Sequence, residues 1–182
     1  MRRAATAMWS RRRLVLVTAV IALALAGAAH GVEGASQAPW AGHVAAVDAA
    51  LAQGNLRVAE RALYDAYTAA LGSRSWEGMA DVGDAYRRVG EASGGRRRAE
   101  ARARESYLAA LFRARQQGSL PGVFRLAEAF STLGHREVVN MCIQIAKGLA
   151  SQVADAKERE QAQASVERVG RRLLALESPK PE

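Results

Sequence analysis

The residue types that most often carry chemistry are few and scattered in this sequence. Its histidines, His30, His43 and His135, lie far apart. None has the i, i+4 partner that would put two metal ligands on one helix face, so no metal site is expected. The single cysteine, Cys142, stands between Met141 and Ile143 on an apolar stretch. Cysteine in such company behaves as a small hydrophobe, and a lone cysteine leaves no intrachain disulfide to form. The expectation is a buried thiol rather than a nucleophile. Ser93-Gly94-Gly95 shares only its flexibility with a phosphate-binding loop, and no nucleophile-elbow motif appears. The chain reads as non-enzymatic and free of cofactors.

Charge is the next candidate. The formal net charge of +8 and a pI near 10.5 point towards an anionic partner until the arginines are placed. Arg2, Arg3, Arg11, Arg12 and Arg13 all precede an uncharged run, and without these five the charge falls to 8 − 5 = +3. The five arginines followed by Leu14 to Ala29, with Ala26-Gly27-Ala28 as a small-x-small site, have the form of an export signal over residues 1–28. Ser10-Arg11-Arg12-Arg13-Leu14-Val15 also resembles a twin-arginine signal. Cleavage near Ala28 would free a periplasmic or secreted body. Retention of Leu14 to Ala29 would anchor it in the inner membrane, with the arginines left in the cytoplasm. A run this short is below the roughly 20 residues that span a bilayer comfortably, which favours cleavage. Residues 29–40 follow as a flexible spacer, so the folded part is expected to begin around Trp40.

The body must be built from helices. Of the 182 residues, 49% are hydrophobic but only 5% aromatic, and Ala, Leu and Val dominate. That mixture suits closely packed helices better than a sheet. Apolar residues recur at helical spacing, and Gly54, Gly72, Gly90, Gly118 and Gly134 each follow such a run. Glycine there is expected to close a helix in the left-handed conformation.

The segment Met79-Ala80-Asp81-Val82-Gly83-Asp84-Ala85-Tyr86-Arg87-Arg88-Val89-Gly90 resembles the first helix of a tetratricopeptide repeat, with Val82 and Tyr86 filling an interface beside the small Gly83. Val123, Leu126-Ala127, Phe130 and Leu133-Gly134 repeat its spacing. Second helices are expected at Ala59, Leu63, Ala66; Ala103, Tyr107, Ala110; and Val139, Ile143, Ala146, each triplet on one face. The resemblance implies an all-α solenoid of about three helix-turn-helix hairpins over residues 41–150. Ala59, Ala103 and Ala110 should be buried, and Ala103→Glu should destabilise by more than about 2 kcal/mol. The first repeat carries His43 and Ala50 where larger apolar residues are usual, which leaves its register open by one. Glu91 to Arg98 is an insertion against a repeat of about 34 residues, expected as a lengthened turn. Residues 151–177, with Val166, Val169, Leu173 and Leu176 in a stripe, should form a capping helix, followed by a disordered tail, 178–182.

In that family the first helices line a concave groove for a peptide. Counting from the turn glycines places Asp48, Asp84 and Glu128 at one groove-facing position, with Arg87 and Phe124 on the same side. Aligned carboxylates would focus negative potential and favour a basic peptide; the carboxylate-clamp pattern of Lys and Asn is absent. Arg96, Arg97, Arg98 and Arg102, with Arg104, form a basic patch. It is either a solvated turn or a contact for an acidic partner, a lipid headgroup or a cell-wall polymer. Nucleic acid is not expected, because no aromatics interleave these arginines. These features imply an adaptor or scaffold that binds a protein or peptide outside the cytoplasm. The alternatives are a membrane-anchored, self-associating assembly component or an envelope enzyme without a visible motif.

Overall fold

A computed structural model describes residues 38–176. The export signal, the membrane-anchoring run, most of the spacer and the tail lie outside the described residues. Within them are seven helices and no strand: α1 (Ala41–Ala52), α2 (Leu56–Ser73), α3 (Trp76–Ser93), α4 (Arg96–Gln116), α5 (Leu120–Thr132), α6 (Arg136–Ser151) and α7 (Ala156–Leu176).

Local chemistry sets most of the boundaries. Asn55, Ser75 and Ser119 precede α2, α3 and α5, and their side-chain oxygens accept the N–H of Val58 (3.3 Å), Glu77 (3.1 Å) and Gly122 (3.1 Å). Each such cap satisfies one orphan donor and is worth about 1 kcal/mol. Gly54, Gly118 and Gly134 close α1, α4 and α5 with positive φ, as their spacing implied. Gly72 and Gly90 do not. Gly72 lies inside α2, which ends on Arg74 at φ 56°. Gly90 is a buried residue of α3, and a Cβ there would lie 2.1 Å from that of Ala99. It serves close helix approach instead of a turn.

The insertion is likewise not a lengthened turn. α3 continues to Ser93 and α4 starts at Arg96, so only Gly94 (φ 71°) and Gly95 turn the chain. The extra residues lengthen the two helices, because Glu91-Ala92 and Arg96 to Glu100 are helix formers and the glycine pair is the local breaker.

α1–α2, α3–α4 and α5–α6 pack as consecutive helical hairpins, and α7 packs on α5 and α6. The odd-numbered helices also stand side by side: α1 touches α3, α3 touches α5, and α5 touches α7. This is a helical-repeat arrangement, and its core is filled by exchanging volume between equivalent positions. In the second hairpin Tyr107 lies over Gly83, where a Cβ would be 2.3 Å from the tyrosine Cε1. At the same positions of the first and third hairpins the residues are Val47 with Leu63 and Ala127 with Ile143. Gly83 is minimal and the tyrosine over it is large, so no void is left at that step.

A second exchange joins one hairpin to the next. The ring of Trp40 rests where a Cβ on Gly78 would be, at 2.9 Å, and the ring of Trp76 does the same over Gly122. At the third equivalent pair of positions stand Leu120 and Val166, a smaller residue in place of tryptophan and a larger one in place of glycine. The expected second-helix triplets are in place: Ala59, Ala103 and Ala110 are fully buried, with Leu63, Tyr107, Val139 and Ala146 beside them, and Ile143 is half-buried. In the first repeat, whose register the sequence left open by one, Val47 and Ala50 are buried and His43 is exposed. Of the expected capping stripe, Val166 and Leu173 are buried and Val169 is half-buried against the core, while the side chain of Leu176 lies outside what is described.

Candidate partner-binding surfaces

Two surfaces of the row of hairpins carry the residues singled out above. The first is formed by the odd-numbered helices. Asp48, Asp84 and Glu128 do occupy one position in α1, α3 and α5, but each meets a cation from the next odd-numbered helix. Arg88 Nε of α3 donates to Asp48 Oδ1 of α1 at 2.7 Å. Arg125 of α5 donates to Asp81 Oδ1 (2.6 Å) and Asp84 Oδ2 (3.0 Å) of α3. Arg172 of α7 pairs with Glu128 of α5.

Further groups tie the middle step down. The Trp40 indole Nε1 donates to Asp81 Oδ2 at 2.7 Å, and the Tyr107 hydroxyl donates to Asp84 Oδ1 at 2.5 Å. Arg125 also lies over the Trp76 ring, 6.0 Å from its centroid. Burial, and then the hydrogen bond to Asp84, pushes the Tyr107 phenol above its ordinary range. Burial pulls the Arg125 guanidinium down, yet the two carboxylates outweigh it and hold the group above its usual value.

The aligned carboxylates are therefore rungs of a ladder that couples one hairpin to the next. The excess negative potential expected from their alignment is offset by an equal row of arginines. Arg87 is half-buried on this side, beside Tyr107, and Phe124 is half-buried against the core.

The basic patch belongs to the start of α4. Arg96, Arg97 and Arg98 form the first turn, which contains no acidic residue, and Gly95 supplies no side-chain cap. Cations at a helix N-terminus oppose its dipole by about 0.3–1 kcal/mol each. Arg96 is bridged to Glu100 at 2.8 Å and Arg102 to Glu105 at 3.0 Å. Arg97 and Arg98 have no ion pair among the described residues.

The second surface lies on the even-numbered side, and residue spacing did not reveal it. The backbones of α4 and α6 come close, whereas α2 and α4 are joined only at their C-terminal ends, where Arg113 of α4 donates to the carbonyls of Ala70 (3.0 Å) and Leu71 (3.3 Å) of α2. Elsewhere α2 and α4 stand apart over α3, leaving two adjoining cavities of 560 and 350 Å³ that share Tyr64, Tyr86 and Arg102. The first reaches Gly95 and Arg98 at the start of α4, and the second reaches Tyr67, Leu71 and Ala109. Three of the four tyrosines of an aromatic-poor chain line this cleft.

Tyr64 is 69% exposed. Tyr86 is half-buried on the cleft floor instead of filling an interface, and burial pushes its phenol up. None of the three hydroxyls has a hydrogen-bond partner among the described residues. The signal available in the sequence was compositional: tyrosines concentrated on two helices of an alanine-rich body.

Cys142 is buried at 1% exposure, and burial pushes its thiol up to about 12. Among the described residues no group of His, Cys, Asp and Glu is placed to hold a metal ion. Among them, too, no helix is long and apolar enough to cross a membrane. No family model matches the chain, and neither a curated protein nor a solved structure matches it.

Proposed function

We propose that this chain is a non-enzymatic adaptor or scaffold of tetratricopeptide-like repeats that binds a protein or peptide partner in the cleft between α2 and α4. One observation carries the reading. Beyond the C-terminal ends that Arg113 joins, the two helices that flank α3 stand apart, and the gap is lined with tyrosines whose hydroxyls have no hydrogen-bond partner among the described residues. Tyrosine supplies large, rigid contact area together with a polar handle, and it is enriched at protein interfaces for that reason. The odd-helix face gives less support, because its carboxylates already have arginine partners within the fold.

The arginine-led, uncharged run Leu14 to Ala29 supports an exported body, either released by cleavage or tethered to the inner membrane. A cytoplasm-only reporter fused after Glu182 should be silent, and strong activity would remove the export part of the proposal.

Affinity capture from the native envelope extract tests the binding face, using two variants. Tyr64→Ala/Tyr67→Ala should lose the partner, while Asp48→Asn/Glu128→Gln keeps it. The opposite pattern would move the binding face to the odd-numbered helices.

A further inference from the structure

We infer that the segment taken by the α2–α4 cleft is extended and acidic, and that its carboxylates lie at the start of α4. This rests on the reading that the cleft is the partner-binding surface.

The charge around the cleft is asymmetric. At one end, three consecutive arginines occupy the N-terminal turn of α4, where backbone N–H groups already concentrate positive potential; Glu100 pairs with Arg96, and the turn itself holds no acidic residue to offset Arg97 and Arg98. Arg98 reaches the cleft itself and has no ion pair among the described residues, and Arg97 beside it has none either. An arrangement that the helix alone disfavours is satisfied when an anion is seated there.

The remaining charges fix the direction. Glu105 is bonded to Arg102, so these two largely cancel. Glu60 stands on the α2 wall, which repels a carboxylate placed against α2 and leaves the α4 end as the acceptor.

The tyrosines define the rest of the segment. Each cavity is within the roughly 300–1,000 Å³ range of sites that hold a compact group. Two in series, sharing a wall of Tyr64 and Tyr86, suit successive side chains of one chain better than a single bulky ligand. An extended chain keeps its carbonyls unpaired, and tyrosine hydroxyls can donate to them. Ring or aliphatic side chains, proline above all, stack on the tyrosine faces, as in aromatic-lined grooves that take polyproline-like segments.

The test is fluorescence polarisation with the full-length chain and a labelled peptide of alternating Pro and Glu. Saturable binding is expected, weakening as salt rises. It should fall at least tenfold in Arg97→Gln/Arg98→Gln and severalfold in Tyr86→Phe, with thermal stability lowered in neither. A matching Pro-Lys peptide should bind at least tenfold more weakly. Equal or tighter binding of Pro-Lys, or an unchanged affinity in the arginine variant, overturns the acidic assignment. Full displacement of the peptide by phosphatidylglycerol vesicles, with no displacement by an unlabelled acidic peptide, would overturn it in favour of a lipid surface.

The two readings fail separately. If the acidic probe does not bind but the tyrosine variant still loses the captured partner, the chemistry assigned to the segment is wrong and the cleft stands. If the tyrosine variant keeps the partner as well, the cleft itself is wrong.

Discussion

The ring of Tyr107 occupies the space that a side chain on Gly83 would need, and the tyrosine hydroxyl is anchored on Asp84, the residue next to that glycine. The ring is buried and held at both ends, so it cannot swing aside. Gly83→Ala would recover about 1 kcal/mol of helix propensity. The contact it creates, 2.3 Å from a ring carbon, should outweigh that, with a net loss of about 1–3 kcal/mol. Adding Tyr107→Ile reproduces the alanine–isoleucine pair of the third hairpin. The double variant should therefore be less destabilised than the sum of its parts, by about 1 kcal/mol or more in denaturant melts. Strict additivity would mean that the two residues do not share this space.

The steps of the carboxylate–arginine ladder should differ in strength. Arg88 and Asp48 are a simple pair with side chains 38% and 52% exposed. A double-mutant cycle there should give no more than about 0.5 kcal/mol. Arg125 meets two carboxylates and an indole face, and those carboxylates are tied to Trp40 and Tyr107 as well. A cycle between Arg125→Met and Asp84→Asn should give about 1–2 kcal/mol and weaken in high salt. Equal couplings at the two steps would contradict the network.

The thiol of Cys142 should be inert in the folded protein and reactive once the chain unfolds. Its folded value of about 12 lies above the ordinary 9.0. The unfolded state therefore loses its proton first as pH rises. The contribution to stability is intact below pH 9 and is lost progressively between pH 9 and 12. Denaturant melts against pH should show this decline, and Cys142→Ala should flatten part of it. Rapid alkylation of the native protein near neutral pH would show that the third hairpin opens easily at this site.

The all-helical hairpin fold was legible because its signals are local. The triplet Ala103, Tyr107 and Ala110 shares a helix face by spacing alone, and Gly54, Gly118 and Gly134 close their helices by the ordinary rule. Ala103, with no exposed surface, remains the place where a glutamate should cost more than about 2 kcal/mol. What could not be read depended on residues far apart in sequence. Gly90 looks like a terminator until Ala99 is seen to press against it. Asp48, Asp84 and Glu128 align correctly by counting, but their partners Arg88, Arg125 and Arg172 lie one odd-numbered helix on, so a stripe of charge read as a groove is a set of joints. The cleft is a gap between α2 and α4, and a gap leaves no pattern in either helix.

The most direct test of the binding face is site-specific photo-crosslinking in the native envelope. A benzoyl-phenylalanine replaces Tyr64 in one variant and Glu128 in another, both exposed positions whose replacement leaves the core intact. The account expects one discrete protein adduct from position 64, abolished when Arg97→Gln/Arg98→Gln is added, and none from position 128. A discrete adduct from position 128 with none from position 64 would contradict it and place the partner on the odd-numbered helices.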